Sequence, residues 1–358
     1  MKMQQSNGKP IDDSDINSMY IDLRSVNEKI TKDLVCSVIF SNRIEQYNPI
    51  KSFLSEYDGE KITECHNLAM LIHSIKSDTN NYDKWLTKWL VSLVANTYGH
   101  YSPLTLVLAG EKQGTGKTHF FRYLLPKKIR SLYAESKMDA GKDDEILMTK
   151  KLIILDDEYG GKSKKEYTKM KEVTSKEWVN VREPYGRVSV DLRRLAMFAG
   201  TSNDLQILND PTGNRRVIPI HVLEDIDRKL YNQCNKEMLF HELHALYLDG
   251  YDYTILKEEI VELNNNTDNF KQSTSEEELV ATKLGHGNSQ SGEWLTITQI
   301  IQYLIGDTKI NNLSNTRIGM LLTSNNYVKM RKKVNNQVVT AYYVIRTNGT
   351  DTSPPDKF

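Results

Sequence analysis

The chain has 358 residues, of which 39% are hydrophobic and 26% charged, with no formal net charge at pH 7. That composition belongs to an ordinary folded protein of two or three domains and excludes a low-complexity or collagen-like chain. Cys36, Cys65 and Cys234 lie too far apart for a metal-ligand spacing and fit core positions in a reducing cytoplasm. The N-terminus lacks an apolar signal segment, and no run reaches membrane-spanning length.

Charge is unevenly spread. Residues 112–194 carry 20 Lys/Arg against 13 Asp/Glu, residues 221–290 carry 6 against 14, and residues 291–346 carry 7 against 2. Two basic segments around an acidic one point to a polyanionic partner, with ordinary surface variation weighing about equally on charge alone.

Residues 1–10 are polar and expected to be disordered. From Ser14 to about Tyr101 apolar residues recur at helical spacing, in Met19, Ile21, Leu23, Val26 and Ile30 and again in Ile50, Phe53 and Leu54. The strongest helix is Tyr82–Tyr98, with Trp85, Leu86, Trp89, Leu90, Leu93 and Val94 on one face. A helical domain leading into a nucleotide domain is the expectation.

Leu104–Leu108 then reads as a buried strand, followed by GEKQGTGKT and a helix-like run from His119 to Leu125. Strand, glycine-rich turn, Lys-Thr and helix form the phosphate-binding loop of nucleotide hydrolases. Gly114, Thr115, Gly116, Lys117, Thr118 and His119 are the nucleotide-binding candidates. The glycines let backbone N–H groups curl round a phosphate, Lys117 reaches the β- and γ-phosphates, and the Thr118 hydroxyl meets Mg²⁺. Glu111 stands where the usual spacing has its first glycine, and Gly110 comes one residue early.

A short strand is expected at Ser131–Ala134, and KLIILDDE follows as a second buried strand ending in acids. Acids at such a strand end hold the metal and polarise the attacking water. Asp156 is assigned with Thr118 to the metal and Asp157 to the base, with Glu158 as the competing base.

Residues 162–178 are Lys-rich and amphipathic, with Ser163 as N-cap. Val179–Arg194 alternates around Pro184-Tyr185-Gly186 as a hairpin, whose turn carries Arg182, Tyr185 and Arg187. Arginines beside an aromatic suit a nucleic-acid backbone, and a hairpin with solvated charges is the plainer alternative. Leu195–Ala199 is a third strand, and the GTSN that ends it puts Asn203 at its tip to orient water or sense the γ-phosphate. After the turn Asp210-Pro211-Thr212-Gly213, Arg215 and Arg216 are candidates for an arginine supplied to a neighbouring subunit's nucleotide.

These motifs, in this order, resemble the virulence-associated protein E family, P-loop ATPases of phages and mobile elements related to superfamily 3 helicases and to the helicase halves of phage primase–helicases. The resemblance covers about Asn48 to Ile220 and is most specific from Arg182 to Arg216. It implies an AAA+-type core, ATP and Mg²⁺, a ring, usually a hexamer, and DNA as the track. Lys117 and Thr118 match the loop pair, Asp156 and Asp157 the acidic strand end, Asn203 the sensor, and Arg215 or Arg216 the arginine acting between subunits. No primase domain is visible, so priming would belong to a separate partner.

Val222–Leu248 reads as acidic helix, residues 264–278 as a linker and residues 284–293 as a second break. Trp294–Thr347 then reads as a small separate domain. A helix at Ile297–Ile305 precedes one at Thr316–Asn325, capped by Ser314 or Asn315. A hairpin follows, with the basic tip Arg331, Lys332 and Lys333 and the turn Asn335-Asn336. Helices followed by a basic wing resemble a winged helix, in which Arg317 and Asn315 start the reading helix. A winged helix used for protein contacts is the alternative.

The expected fold is thus α/β. An N-terminal helical, collar-like domain (1–100) precedes a P-loop ATPase core (101–222) and an acidic helical segment and linker (223–285). A winged-helix domain (290–348) and a disordered tail (349–358) complete it. The expected function is an ATP-dependent, ring-forming DNA helicase or translocase for replicating a mobile element. The rivals are a DNA-binding ATPase switch that does not unwind, and an assembly factor in which nucleotide only holds a ring together.

Overall fold

The computed structural model describes residues 11–347 apart from 42, 44–46, 60, 138–141, 163, 182–188, 209–214, 272–274, 288–290, 307–312 and 335–336. The two chain ends, the Ser163 cap, the Asp210–Gly213 and Asn335-Asn336 turns, and the hairpin turn with Arg182, Tyr185 and Arg187 therefore lie outside the described residues. The chain divides into two compact units, 1–271 and 272–358.

The first unit begins with α1 (Asp13–Val26) and α2 (Lys32–Ile39), which pack through Ile16, Val35 and Ile39. Asp12 caps α1 in a reciprocal box with Asp15. α3 (Pro49–Ser55), α4 (His66–His73) and α5 (Tyr82–Thr97) follow. The central sheet is built from β1 (Thr105–Ala109), β2 (Tyr133–Glu135) and β3 (Ile153–Asp156), with α6 (Lys117–Arg122) after β1 and α7 (Lys142–Lys150) before β3. α8 (Lys164–Thr174) leads to the antiparallel pair β4 (Trp178–Val181) and β5 (Val190–Arg193), in which Trp178 faces Arg193. β6 (Met197–Ser202) and β7 (Val217–His221) complete the sheet, and α9 (Arg228–Gln233), α10 (Lys236–Leu248) and α11 (Lys257–Asn266) end the unit.

The sheet is parallel throughout, in the order β2-β3-β6-β1-β7. β1, β3 and β6 are buried on both faces, as their near-continuous apolar runs require, whereas the edge strand β2 is partly exposed. Strand alternation divides the side chains between two cores. Leu106, Leu108, Ile153, Leu155, Met197, Ile218 and Ile220 join α3–α6, α9 and α10, whereas Val107, Ile154, Phe198 and Val217 join α7, α8 and the β4–β5 pair.

Two expectations change here. Residues 50–97 are helical but share one hydrophobic core with the sheet, so no packing boundary falls near residue 100. α5 is also buried all round rather than on one face. Several of its polar groups find partners inside: Lys88 Nζ donates to the Asp252 and Thr254 carbonyls at 2.6 and 2.7 Å, and Trp89 Nε1 to the Phe198 carbonyl at 3.0 Å. The free thiols include one buried residue, Cys234, with Cys36 and Cys65 half-buried.

The second unit contains α12 (Ser275–Lys283), β8 (Leu284–His286), β9 (Glu293–Thr296), α13 (Ile297–Ile305), α14 (Asn315–Ser324), β10 (Lys329–Val334) and β11 (Gln337–Arg346). β11 pairs antiparallel with β10, β8 and β9. The two expected helices and the hairpin are present, and Ser314 caps α14. The expected linker at 264–278 is helical at both ends, because α11 runs into it and α12 begins within it. α12 and β8 supply Leu279, Val280 and Leu284 to the second unit's core, so this unit starts at 272 rather than near 290. The polar faces of both helices had masked these apolar anchors.

Candidate functional site

β1 ends at Ala109 and the chain turns into a glycine-rich loop before α6. Gly114 and Gly116 have φ of +76° and +93°, a left-handed conformation that favours glycine. Gly110 has a different reason. A Cβ there would lie 2.5 Å from the Val222 carbonyl oxygen, where the chain leaving β7 crosses the loop. Its early position therefore reflects packing, and Glu111 is simply exposed.

Lys117 is the first residue of α6 and is buried. Its Nζ donates to the Gly110 and Lys112 carbonyls, both at 2.9 Å, and to Thr115 Oγ1 at 3.3 Å. Burial pushes its pKa below the ordinary lysine value, with Asp157 opposing. The ammonium is thus wrapped by loop oxygens. His119 follows, half-buried against Tyr123 at 4.4 Å between ring centroids. Burial lowers its pKa, and Arg228, Arg122 and Lys236 add to that.

The acids separate by strand parity. Ile153 and Leu155 face the core that holds α6, and Asp157 continues that side. Thr118 Oγ1 donates to Asp157 Oδ1, and Thr201 Oγ1 donates to the same oxygen at 2.7 Å. Asp156 continues the side of Ile154, deep in the other core. It pairs there with Lys162 at 2.8 Å, and burial still raises its pKa against that lysine. Asp157, not Asp156, stands beside Thr118. The sequence expectation groups Asp156 with Thr118, and the alternation of side chains along β3 accounts for the difference.

Glu158 is exposed and pairs with Lys137 at 2.5 Å. Asn203 is exposed just past β6, next to Ser202, whose carbonyl accepts from Gly110 N at 3.1 Å. The structure thus brings Lys117, Thr118, Asp157 and Asn203 to the carboxyl edge of the sheet, where open parallel sheets bind ligands.

Arg215 and Arg216 lie at the opposite edge, since Val217 pairs with Thr105 at the start of β1. The five residues of β1 separate them from the loop by roughly 16 Å at about 3.3 Å per residue. Arg216 donates to Ser175 Oγ, whereas Arg215 is exposed. In the second unit Arg317 is half-exposed and pairs with Glu276 at 3.1 Å, while Arg331 is exposed on β10. The side chains of Lys332 and Lys333 lie outside the described residues.

Sequence reasoning missed Thr201, Lys162 and the buried Arg194. Thr201 sits in the GTSN run, and its place one step beyond Gly200 on the α6 side was its only signal.

A mixed α/β unit with a parallel sheet and a glycine loop at its carboxyl edge defines the class. The sequence model of the virulence-associated protein E-like domain matches residues 50–272, more than half of the chain, and the chain belongs to that family. Among solved structures, an apo structure of the NrS-1 C-terminal region is similar at a TM-score of 0.55 and 14% identity, covering 95% of this chain and 92% of that one. An A-form apo structure of the same region has a TM-score of 0.51 and 15% identity, covering 94% and 91%. At such identities the likeness is one of fold. No curated protein matches. No described helix is long and apolar enough to cross a membrane.

Proposed function

We propose that this chain is an ATP-dependent, ring-forming DNA helicase or translocase that serves the replication of a phage or mobile element. The observation that carries the reading is the joining of Lys117, Thr118 and Asp157 at the carboxyl edge, behind a loop whose Gly114 and Gly116 are left-handed. The strand order, with β1 inside a parallel sheet and the acidic strand two places away, supports a P-loop core of the AAA+ type.

The donor set fits Mg²⁺. Thr118 and Asp157 offer a hydroxyl and a carboxylate, both hard oxygens. Among the described residues no cluster of three or more His, Cys, Asp or Glu could hold a metal alone. Two protein oxygens completed by nucleotide phosphates is how Mg²⁺ is usually bound. When bound, Mg²⁺ neutralises phosphate charge. The chain's own residues do the rest. Lys117 exchanges its loop carbonyls for phosphate oxygens, Gly114–Thr118 present backbone N–H groups, Glu158 orients water once it leaves Lys137, and Asn203 reads the terminal phosphate. Arg215, exposed and far from its own loop, is the arginine offered to a neighbouring subunit, and Arg216 is its anchored neighbour.

DNA is the proposed track, met by Arg182, Tyr185 and Arg187 in the ring channel. The second unit is read as a winged helix that touches duplex through Arg331, Lys332 and Lys333. Arg317, already paired with Glu276, has to give up that carboxylate to meet phosphate.

ATP turnover with and without single-stranded DNA, wild type beside Lys117→Ala, with forked-duplex unwinding on the same preparation, tests the proposal. DNA-stimulated turnover with unwinding, both lost in the variant, is the expected result. Turnover without stimulation or unwinding moves the reading to a DNA-binding ATPase switch.

A further inference from the structure

The ladder between β3 and β6 ends at Asp156 opposite Gly200. Asp157 is therefore the first residue beyond it, with no strand pairing to fix its position, and Thr201 is the next residue on the neighbouring strand. The two residues are joined nonetheless. Thr201 Oγ1 lies 2.7 Å from Asp157 Oδ1 and 2.9 Å from the Asp157 carbonyl oxygen. The Thr201 carbonyl in turn accepts from Tyr159 N at 2.9 Å. One residue of β6 thus grips the acidic turn on both sides of Glu158. Thr201 is only 4% exposed, so water cannot easily replace its hydroxyl.

Asp157 Oδ1 also accepts from Thr118, the loop residue beside Lys117. A single carboxylate oxygen therefore joins the loop to β6. With the Thr201 bond removed, the side chain keeps one tether and regains rotamer freedom, and its aim at Thr118 is no longer set by the sheet.

We propose that Thr201 is a positioning residue for the metal–nucleotide complex, its buried hydroxyl holding Asp157 against Thr118 so that the two present a preformed pair of oxygen donors to a divalent cation on the nucleotide phosphates. The inference rests on the nucleotide reading above. Residues that orient a metal ligand without touching the metal change metal affinity when they are replaced. Thr201 acts through Asp157, on where that carboxylate points.

Equilibrium binding of a fluorescent ATP analogue, titrated with Mg²⁺ and with chelator, tests this without any need for turnover. Wild type, Thr201→Val, Thr201→Ser and Lys117→Ala are compared. Valine keeps the volume and the branching and removes only the hydroxyl. The expected result is about a tenfold loss in the affinity that Mg²⁺ adds for Thr201→Val, with affinity in chelator unchanged and with recovery in Thr201→Ser. A full Mg²⁺ gain in Thr201→Val overturns the proposal. So does an equal loss with and without metal, or a failure of serine to restore the gain. If Thr201→Val does not fold by circular dichroism, Thr201→Cys takes its place with the same expected loss. Wild type that binds no nucleotide in Mg²⁺ sinks the nucleotide reading and this inference with it. Wild type that binds, with an unaltered Thr201→Val, sinks this inference alone.

Discussion

The two edges of the central sheet hold their cations in different ways. At the carboxyl edge Lys117 rests on two loop carbonyls and a threonine hydroxyl, and Asp157 on two threonine hydroxyls. At the amino edge Arg194 is sunk in the core, donating to the Thr174 and Ser102 carbonyls. Its guanidinium lies over the Tyr101 and Phe198 rings at 4.5 and 4.9 Å, and burial pushes its pKa down to about 10. The first arrangement draws its partners from a glycine loop, where the proposed function has an anion take them over. The second ties secondary-structure ends together and leaves nothing to exchange. A cation at a strand end is thus functional or structural according to what would replace its partners.

The largest expected effect tests the carboxyl edge. Lys117→Ala should lower ATP turnover by about 10²–10³-fold, because it removes a charge aimed at developing phosphate charge. Its melting temperature should stay within a few degrees of wild type. A large fall in stability there would make Lys117 a structural residue like Arg194 and would erase the contrast.

Asp156 and Asp157 place the same contrast in adjacent residues. Asp157→Asn should reduce turnover by about 10²-fold, with the fold intact. Asp156→Asn breaks its ion pair with Lys162, so it should cost about 3 kcal/mol in a urea titration and leave turnover of the folded fraction close to wild type. Exchanged outcomes would show that the parity argument assigns the acids wrongly.

Arg194→Ala completes the set at the amino edge. It removes packing from two aromatic rings and takes a charged donor from the Thr174 and Ser102 carbonyls, for a loss of about 3 kcal/mol by denaturant titration. Turnover at low temperature, measured on folded protein, should survive. Loss of turnover without loss of stability would place Arg194 in the chemistry.

Much of this was legible in the residues and some was not. The apolar runs around Leu106, Ile154 and Phe198 were readable as strands because parallel strands are buried on both faces. The strand, turn and helix around the loop were readable because Gly114 and Gly116 can take the left-handed backbone the turn needs and Lys117 begins the helix. The sides taken by Asp156 and Asp157 were also within reach, since counting by twos from Ile153 puts Asp157 on the α6 side. Three consecutive acids look alike without a face to refer to. Lys88, Lys162 and Arg194 were not legible at all. Their burial depends on carbonyls and carboxylates far away in sequence, and periodicity carries no information about those partners. The helical reading of residues 50–97 was right in kind, but which surface they cover is a tertiary fact.

The smallest effects concern Arg215 and Arg216, adjacent residues at the amino edge. Arg216 is half-buried and bonded to Ser175, and its carbonyl accepts from Thr105 N at 2.8 Å, so it belongs to the locked side of the contrast. Arg216→Ala should cost about 1 kcal/mol, the net worth of a hydrogen bond. Arg215 is exposed on that edge, so Arg215→Ala should leave stability within about 0.5 kcal/mol. If Arg215 serves a neighbouring subunit, the variant alone should have low turnover, and mixing it with Lys117→Ala subunits should restore a fraction of it. In such a mixture some interfaces pair an intact loop with an intact arginine. An arginine acting within its own chain cannot be rescued in that way, because every subunit then lacks one of the two groups. Rescue with Arg215→Ala and none with Arg216→Ala would extend the distinction between exchangeable and locked cations to neighbours in the chain. Rescue with Arg216→Ala instead would mean that its bond to Ser175 opens when subunits assemble, and that the amino edge is less fixed than its hydrogen bonds imply.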